Sequence, residues 1–238
     1  MFLTNGREAN PAANERLVVS KERVAGRGEV YTGKLVVNAM LDLVKQETER
    51  IESRFLEPAC GAGNFLTEIL ERKLSIVESR YSKSQLDYER NAILAVSSLY
   101  GIDILGDNVT KCRQRLFEIF DQKYSRRFKK RTKEECRKAV RFILEKNIIW
   151  GDALTLKTVG DNPQLIAFSE WSPVNGSMLK RRDFAFRELI SEKGEKAPSL
   201  FSDRSQFLYS DLGDRVFIPS ALREYPLIHF MRVCDAER

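Results

Sequence analysis

Residues Phe55 to Leu66 read FLEPACGAGNFL. Three residues, Phe55 to Glu57, form a short apolar run that ends in an acid and is stopped by Pro58. Gly61 and Gly63 follow, and then the apolar spacing of a helix begins at Phe65. A strand, a glycine turn and a helix in that order let a backbone pass very close to a ligand. The glycines alone leave two readings open, a phosphate loop or a tight strand-to-helix turn. A P-loop is excluded because no Lys-Ser/Thr pair follows, and the GxGxxG spacing also fails. Glu57 heads the loop, and its carboxylate suits a cationic or hydroxyl-bearing ligand better than a pyrophosphate.

Outward from the loop, helices and short buried strands alternate. GKLVVNAMLDLVKQETERI, from Gly33, carries apolar residues at 35, 36, 39, 40, 43 and 44, the stripe of an amphipathic helix. NFLTEILERKLSIVESR is a second helix with Phe65, Leu66, Ile69, Leu70 and Leu74 on one side, and LDYERNAILAVSSL is a third. YGIDIL is the second strand. GDNVTKCRQRLFEIFDQKY follows as a helix turning Val109, Cys112, Leu116 and Ile119 or Phe120 inward. KEECRKAVRFILEK is the next helix, and NIIWGDAL the third strand. This alternation predicts an α/β domain with a mostly parallel sheet and flanking helices.

Beyond Leu156 the pattern weakens. QLIAFSEW reads as a strand, RRDFAFRELI as strand or helix, and EKGEKAPSLFSDRS as a loop. RVFIPSALREYPLIHFMRV is apolar but holds two prolines, so it is not one long helix. The expected organisation is an N-terminal arm over 1–27, a ligand-binding domain over 28–160, and an irregular C-terminal extension over 161–238. That extension either completes the sheet or forms a partner interface.

Composition narrows the function classes. With 238 residues, 42% hydrophobic and 31% charged, the chain can build one sizeable core. No apolar run approaches the ~20 residues of a membrane span, and the N-terminus lacks the apolar core of a signal peptide. A cytoplasmic protein without membrane contact is expected. Cys60, Cys112, Cys136 and Cys234 have no CxxC spacing and His229 is the only histidine, so neither a zinc site nor a histidine-based triad is expected. The net charge of +6 is uneven: residues 111–146 hold 14 Lys/Arg against 5 Asp/Glu, a local +9 that leaves −3 for the remainder. Its densest part contains Arg126, Arg127, Lys129, Lys130 and Arg131, which suit phosphate contact as well as they suit a solvated helix end.

Two further acids close strands. Asp103 ends the second, with Ile104 beside it, and Asp152 ends the third. Ligands of doubly wound sheets sit at such strand ends. Asp103 is placed to accept from ribose hydroxyls, Ile104 to face an adenine, and Asp152 to accept from an adenine amino group. Three acids and a close-approach loop describe S-adenosylmethionine.

Four segments in register then carry a resemblance. FLEPACGAGNFL resembles the cofactor loop of the adenine-N6 DNA methyltransferases of restriction-modification systems. GEVYTGKLVVNAMLDLV resembles their upstream V-Y-T-P segment, with Gly33 in place of the proline. YGIDIL and IIWGDAL resemble the next two motifs, and the match spans residues 28–156. The resemblance implies a Rossmann-like class I methyltransferase fold and S-adenosylmethionine as cofactor. It implies that Tyr31 and Thr32 meet the methionine end and that Glu57, Ala59, Gly61 and Gly63 line the loop, with Asn64 at the helix start. It places the ribose on Asp103, the adenine on Ile104, and the amino group at Asp152 with Ala153 after it. Each residue also has a plainer role: Ile104 as core, Tyr31 or Asn64 as a helix cap, and Trp150 as a buried strand residue rather than a stacking platform.

The family's Asn/Asp-Pro-Pro-Tyr/Phe segment, which orients the target amino group and stacks the flipped base, is absent. Asn162-Pro163 follows a polar stretch, and Ser172-Pro173-Val174 lacks both amide and aromatic. The resemblance therefore implies a cofactor-binding subunit acting on double-stranded DNA. A second subunit would bring the missing segment, and the basic block would lie beside a shared DNA groove. Alternatives are a binding module without turnover, or an enzyme of another substrate class using Glu170 or Asp183.

Overall fold

A computed structural model describes residues 23, 25, 32–190, 207–209, 215–217 and 220–237 of the chain. Tyr31 and the EKGEKAPSLFSDRS segment lie outside the described residues, as does most of the N-terminal arm. Helices α1 (Lys34–Asp42) and α2 (Lys45–Thr48) lead into β1 (Phe55–Glu57). Then come α3 (Asn64–Tyr81), α4 (Gln85–Ser97), β2 (Leu99–Asp103), α5 (Gly106–Phe128), α6 (Glu134–Asn147) and β3 (Ile148–Asp152). β1, β2 and β3 are parallel neighbours in that order, with Glu57 opposite Gly101 and Asp103 opposite Trp150. A two-residue strand, β4 (Lys157–Thr158), adds antiparallel to β3. The α/β expectation with a mainly parallel sheet holds, and among the described residues β1 has no strand on its other side.

Strand alternation gives the sheet two different faces. Phe55, Leu99 and Ile148 point into the main core with α3–α6, where Leu66, Leu70, Leu74, Ile93, Leu116 and Phe120 are buried. Tyr100, Ile102 and Ile149 point the other way, into a smaller cluster with Ile166, Phe168 and Phe186. That second face is covered by β5 (Ala167–Pro173), paired antiparallel to β6 (Met178–Ala185). The expected strand at QLIAFSEW is β5, and RRDFAFRELI turns out to be both things: the end of β6 and then α7 (Phe186–Ile190).

β7 (Phe207–Tyr209) pairs with β8 (Arg215–Phe217). β9 (Arg223–Glu224) and β10 (Ile228–His229) both pair with β6, and a 3-10 segment, Phe230–Glu237, ends the chain against α6. Among the described residues the C-terminal part builds an antiparallel sheet that reaches both clusters, with Phe168 in the smaller one and Trp171, Leu179 and Phe230 in the main core, and none of its strands pairs with β1.

One expectation reverses. Of α1 only Val37 and Leu41 are buried, facing α3. The predicted stripe points outward, with Leu35, Val36, Met40, Leu43 and Val44 exposed and Leu43 at 87%. Apolar residues surround nearly the whole helix, so periodicity could not tell which stripe meets α3.

Lys73 braces the start of β1 from within α3. It is fully buried, and its ammonium donates to the Ile51 carbonyl (3.1 Å), the Ser53 carbonyl and Ser98 Oγ (2.5 Å). Burial holds its pKa down at about 7.

Candidate functional site

The carboxyl ends of β1, β2 and β3 lie side by side, about 4.8 Å apart. They bring the Glu57 loop, Asp103–Ile104 and Asp152–Ala153 to one edge of the sheet. This is the edge at which doubly wound sheets bind ligands.

The loop is built so that its backbone can pass tightly. Gly61 (φ 52°) and Gly63 (φ 85°) are both left-handed, the region that favours glycine. A Cβ on Gly63 would lie 2.6 Å from Cys112 Sγ of α5, so only glycine lets the turn pack there. The amide of Cys60 donates to the Ile102 carbonyl at 2.8 Å, which sews the loop to β2. Cys60 and Cys112 are buried thiols, and the neighbouring Cys112 together with burial pushes the Cys60 thiol far up.

Several predicted contacts turn out to hold the loop itself. Asp103 Oδ2 accepts from the Gly61 amide (2.8 Å), and Oδ1 accepts from the Leu105 amide (2.8 Å) and Asn108 Nδ2 (3.3 Å). A carboxylate offers about four acceptor positions, so one remains, on Oδ2. Asn64 is the first residue of α3, and Gly63 stands at the N-cap. Asn64 Oδ1 accepts from Arg115 (2.8 Å), and its Nδ2 donates to the Thr32 carbonyl (3.1 Å). Arg115 also donates to the Ala62 carbonyl at 2.6 Å. Asn64 is therefore a latch joining the loop, α5 and the segment before α1, and Arg115 is a site-shaping residue that the sequence motifs did not reveal. Asp152 Oδ1 accepts from the Leu154 amide (2.9 Å), and that bond first of all lowers its pKa.

Glu57 differs from these. It is half-buried, and its bond from the Ala59 amide is long at 3.3 Å. Burial raises its pKa, and no cation of the described residues pairs with it. It is the under-satisfied acceptor at the mouth of the loop.

Ile104 is 44% exposed, so it is not core. Trp150, expected to be buried, is also 44% exposed. Its indole lies on Gly106, where a Cβ would come within 3.3 Å of the ring, and its Nε1 donates to the Ile104 carbonyl at 3.0 Å. The two form an apolar rim next to the acids. Asp107, in the first turn of α5, is held by Arg23 at 2.7 Å, which with Lys111 keeps its pKa low at about 2. The rim and the acids suit a flat ligand that bears hydroxyls and a positive charge.

Other expected contributors are elsewhere. α5 starts at this site, and its rise from Gly106 to Phe128 is about 33 Å, so the basic block at its far end is not beside the loop. Glu170 pairs with Arg54, which precedes β1, and with Arg182 (2.7 Å). Asp183 is engaged by Arg181 (2.9 Å), Ser169 Oγ (2.7 Å) and Tyr225 (2.9 Å). Both acids belong to ion pairs at the opposite end of the sheet, and Ser172-Pro173 ends β5 beyond them. Asn162-Pro163 sits in an exposed turn after β4. His229 accepts from the Met231 amide and stacks on Phe230. Among the described residues no cluster of side chains could hold a metal ion, and no helix is long and apolar enough to cross a membrane. No family model, curated protein or solved structure matches this chain.

Proposed function

We propose that this chain is the S-adenosylmethionine-binding subunit of a DNA adenine-N6 methyltransferase with a class I fold, completed by a second polypeptide. Glu57 carries this reading: it is a half-buried carboxylate with one long internal bond, set between two left-handed glycines and the exposed Ile104–Trp150 rim. The group fits what is present. Glu57 would accept from the amino-acid end or a hydroxyl. The spare position on Asp103 Oδ2 would accept one ribose hydroxyl, and Ile104 and Trp150 would face the adenine. When bound, the cofactor supplies an electrophilic methyl on a sulfonium. This chain's part is to orient it: the latch of Asn64 and Arg115 fixes the loop, and the rim excludes water from one side.

The free side of β1 supports the need for a partner. In doubly wound sheets the ligand crevice lies where strand order reverses, next to the first strand. Among the described residues β1 is the last strand on that side, so the crevice has one wall.

Calorimetric titration with S-adenosylmethionine tests the reading. Binding by the unaltered chain, weakened about ten- to a hundredfold in Glu57→Gln, is expected from losing a bond to a charged group. Absence of binding, or equal affinity in the variant, would overturn the cofactor assignment. Methyl transfer to duplex DNA by the chain alone would overturn the need for a partner.

A further inference from the structure

We propose that the tip of the α5–α6 hairpin is a second nucleic-acid contact, separate from the cofactor site, that grips the phosphates of duplex DNA. The choice of DNA as the nucleic acid rests on the function proposed above; the charge argument does not.

Three segments converge at the tip. Arg127, in the last turn of α5, donates to the Ser82 carbonyl at 3.0 Å, and Arg126 reaches Glu78 at 3.4 Å, so the end of α3 lies alongside. Gln85, opening α4, donates to the Arg131 carbonyl at 2.7 Å. Arg80, Lys83, Arg127, Lys129, Lys130 and Arg131 are all exposed there.

Across the rest of the described surface, cations are generally neutralised. Arg50, Arg72, Arg90, Lys111, Lys146 and Lys180 each hold an acid within 4.0 Å. Among the described residues no carboxylate comes that near any of the six tip cations. Positive charge near a helix C-terminus is favoured by the helix dipole, which accounts for Arg80 and Arg127. It does not account for Lys83, which lies past the end of α3, or for Lys130 and Arg131, which follow the Lys129 C-cap of α5.

The tip is also held rigid from below. Glu89 is fully buried and accepts from Tyr124, Gln85 (2.7 Å) and Lys133 (2.9 Å). Tyr124 in turn accepts from the Lys133 amide at 2.9 Å, and beneath the turn Tyr124 stacks on Tyr88 while Phe128 packs edge-on against Tyr88. Lys129 adopts a positive φ of 51°, a conformation that persists when its surroundings fix it. Unpaired cations on a fixed backbone neutralise phosphates with little ordering cost, and each one that does so displaces counterions.

The test is fluorescence anisotropy of the full chain on a labelled duplex of arbitrary sequence, at salt from about 50 to about 200 mM. Binding by the unaltered chain is expected. K83Q/K129Q/K130Q/R131Q should bind more weakly and flatten the slope of log K against log salt by about 3 to 4 units. K83Q/K130Q, which leaves the strained Lys129 and the Arg131–Phe128 stack intact, should flatten it by about 2 units without altering helical content. The proposal is overturned if the chain does not bind duplex, or if the slope is unchanged in a folded K83Q/K130Q. Tighter binding of polyglutamate or of anionic vesicles than of duplex would also overturn it. A parallel S-adenosylmethionine titration keeps the two readings apart: lost cofactor binding with duplex binding retained counts against the cofactor site alone.

Discussion

Gly63→Ala gives a test of the loop whose size follows from the geometry. At φ 85° a residue with a side chain loses about 1–2 kcal/mol in the left-handed region. The added methyl also meets Cys112 Sγ at 2.6 Å, and overlap of this kind in a packed interior costs about 1–3 kcal/mol. Together the substitution should destabilise by roughly 2–5 kcal/mol. The two parts are separable. Cys112→Ala removes the sulfur and leaves the Cys112 Cβ at 3.4 Å from the new methyl, near ordinary contact. In that background Gly63→Ala should cost only the conformational part, about 1–2 kcal/mol. Cys112→Ala alone should cost about 1 kcal/mol, close to the burial of one methylene. Urea denaturation of the four proteins, followed by helical signal, gives a coupling of about 1–3 kcal/mol in favour of the double variant. If the two effects simply add, within about 0.5 kcal/mol, then the loop does not pack on Cys112 as described and the reasoning fails.

Two other outcomes follow from buried and exposed groups. Lys73→Met leaves two carbonyls and Ser98 Oγ without their donor and should destabilise by about 2–4 kcal/mol. Because the folded lysine sits near 7 and the unfolded one near 10.5, the unfolded chain binds the extra proton between those values. Stability should therefore rise from pH 7 to about 9, and unfolding midpoints of Lys73→Met should lack that rise. Trp150 is half-exposed whereas Trp171 is buried, so an adenine facing Trp150 should quench the exposed part of the fluorescence. Trp150→Ala should bind S-adenosylmethionine up to about tenfold more weakly. Neither quenching nor weakening would remove Trp150 from the site.

The first three strands were legible because each is a short apolar run with a marked end: Pro58 after Glu57, or an Asp after the run at Asp103 and Asp152. The inward residues of α5 were legible for the same kind of reason, one apolar stripe on a polar helix. The roles of Asp103 and Asn64 were not. Their partners, Gly61 and Arg115, are 42 and 51 positions away, and local spacing carries no information about such pairs. Trp150 was misplaced because strand alternation gives the face but not the height. It does point to the helix side, yet at the strand end, where α5 begins with glycine and leaves the ring uncovered. The last third resisted reading because strands of two or three residues are too short to show a period.

The two things missing from this chain fall in one place. A parallel strand is normally buried on both faces and paired on both sides. Among the described residues β1 is paired only to β2, Leu56 on its outer face is 41% exposed, and α1, which packs on α3, turns its apolar stripe outward. An exposed strand edge flanked by exposed apolar side chains invites pairing with another chain. Among the described residues no strand of the C-terminal sheet relieves this, since none pairs with β1. A strand laid parallel beside β1 would satisfy the edge and flank Leu56. Its carboxyl end would emerge next to Glu57, on the side where the crevice lacks a wall. An Asn-Pro-Pro-aromatic segment would have to arrive at that point to reach a methyl held by the loop. If the proposed function holds, the partner's place is therefore at this edge, where one strand would serve both needs.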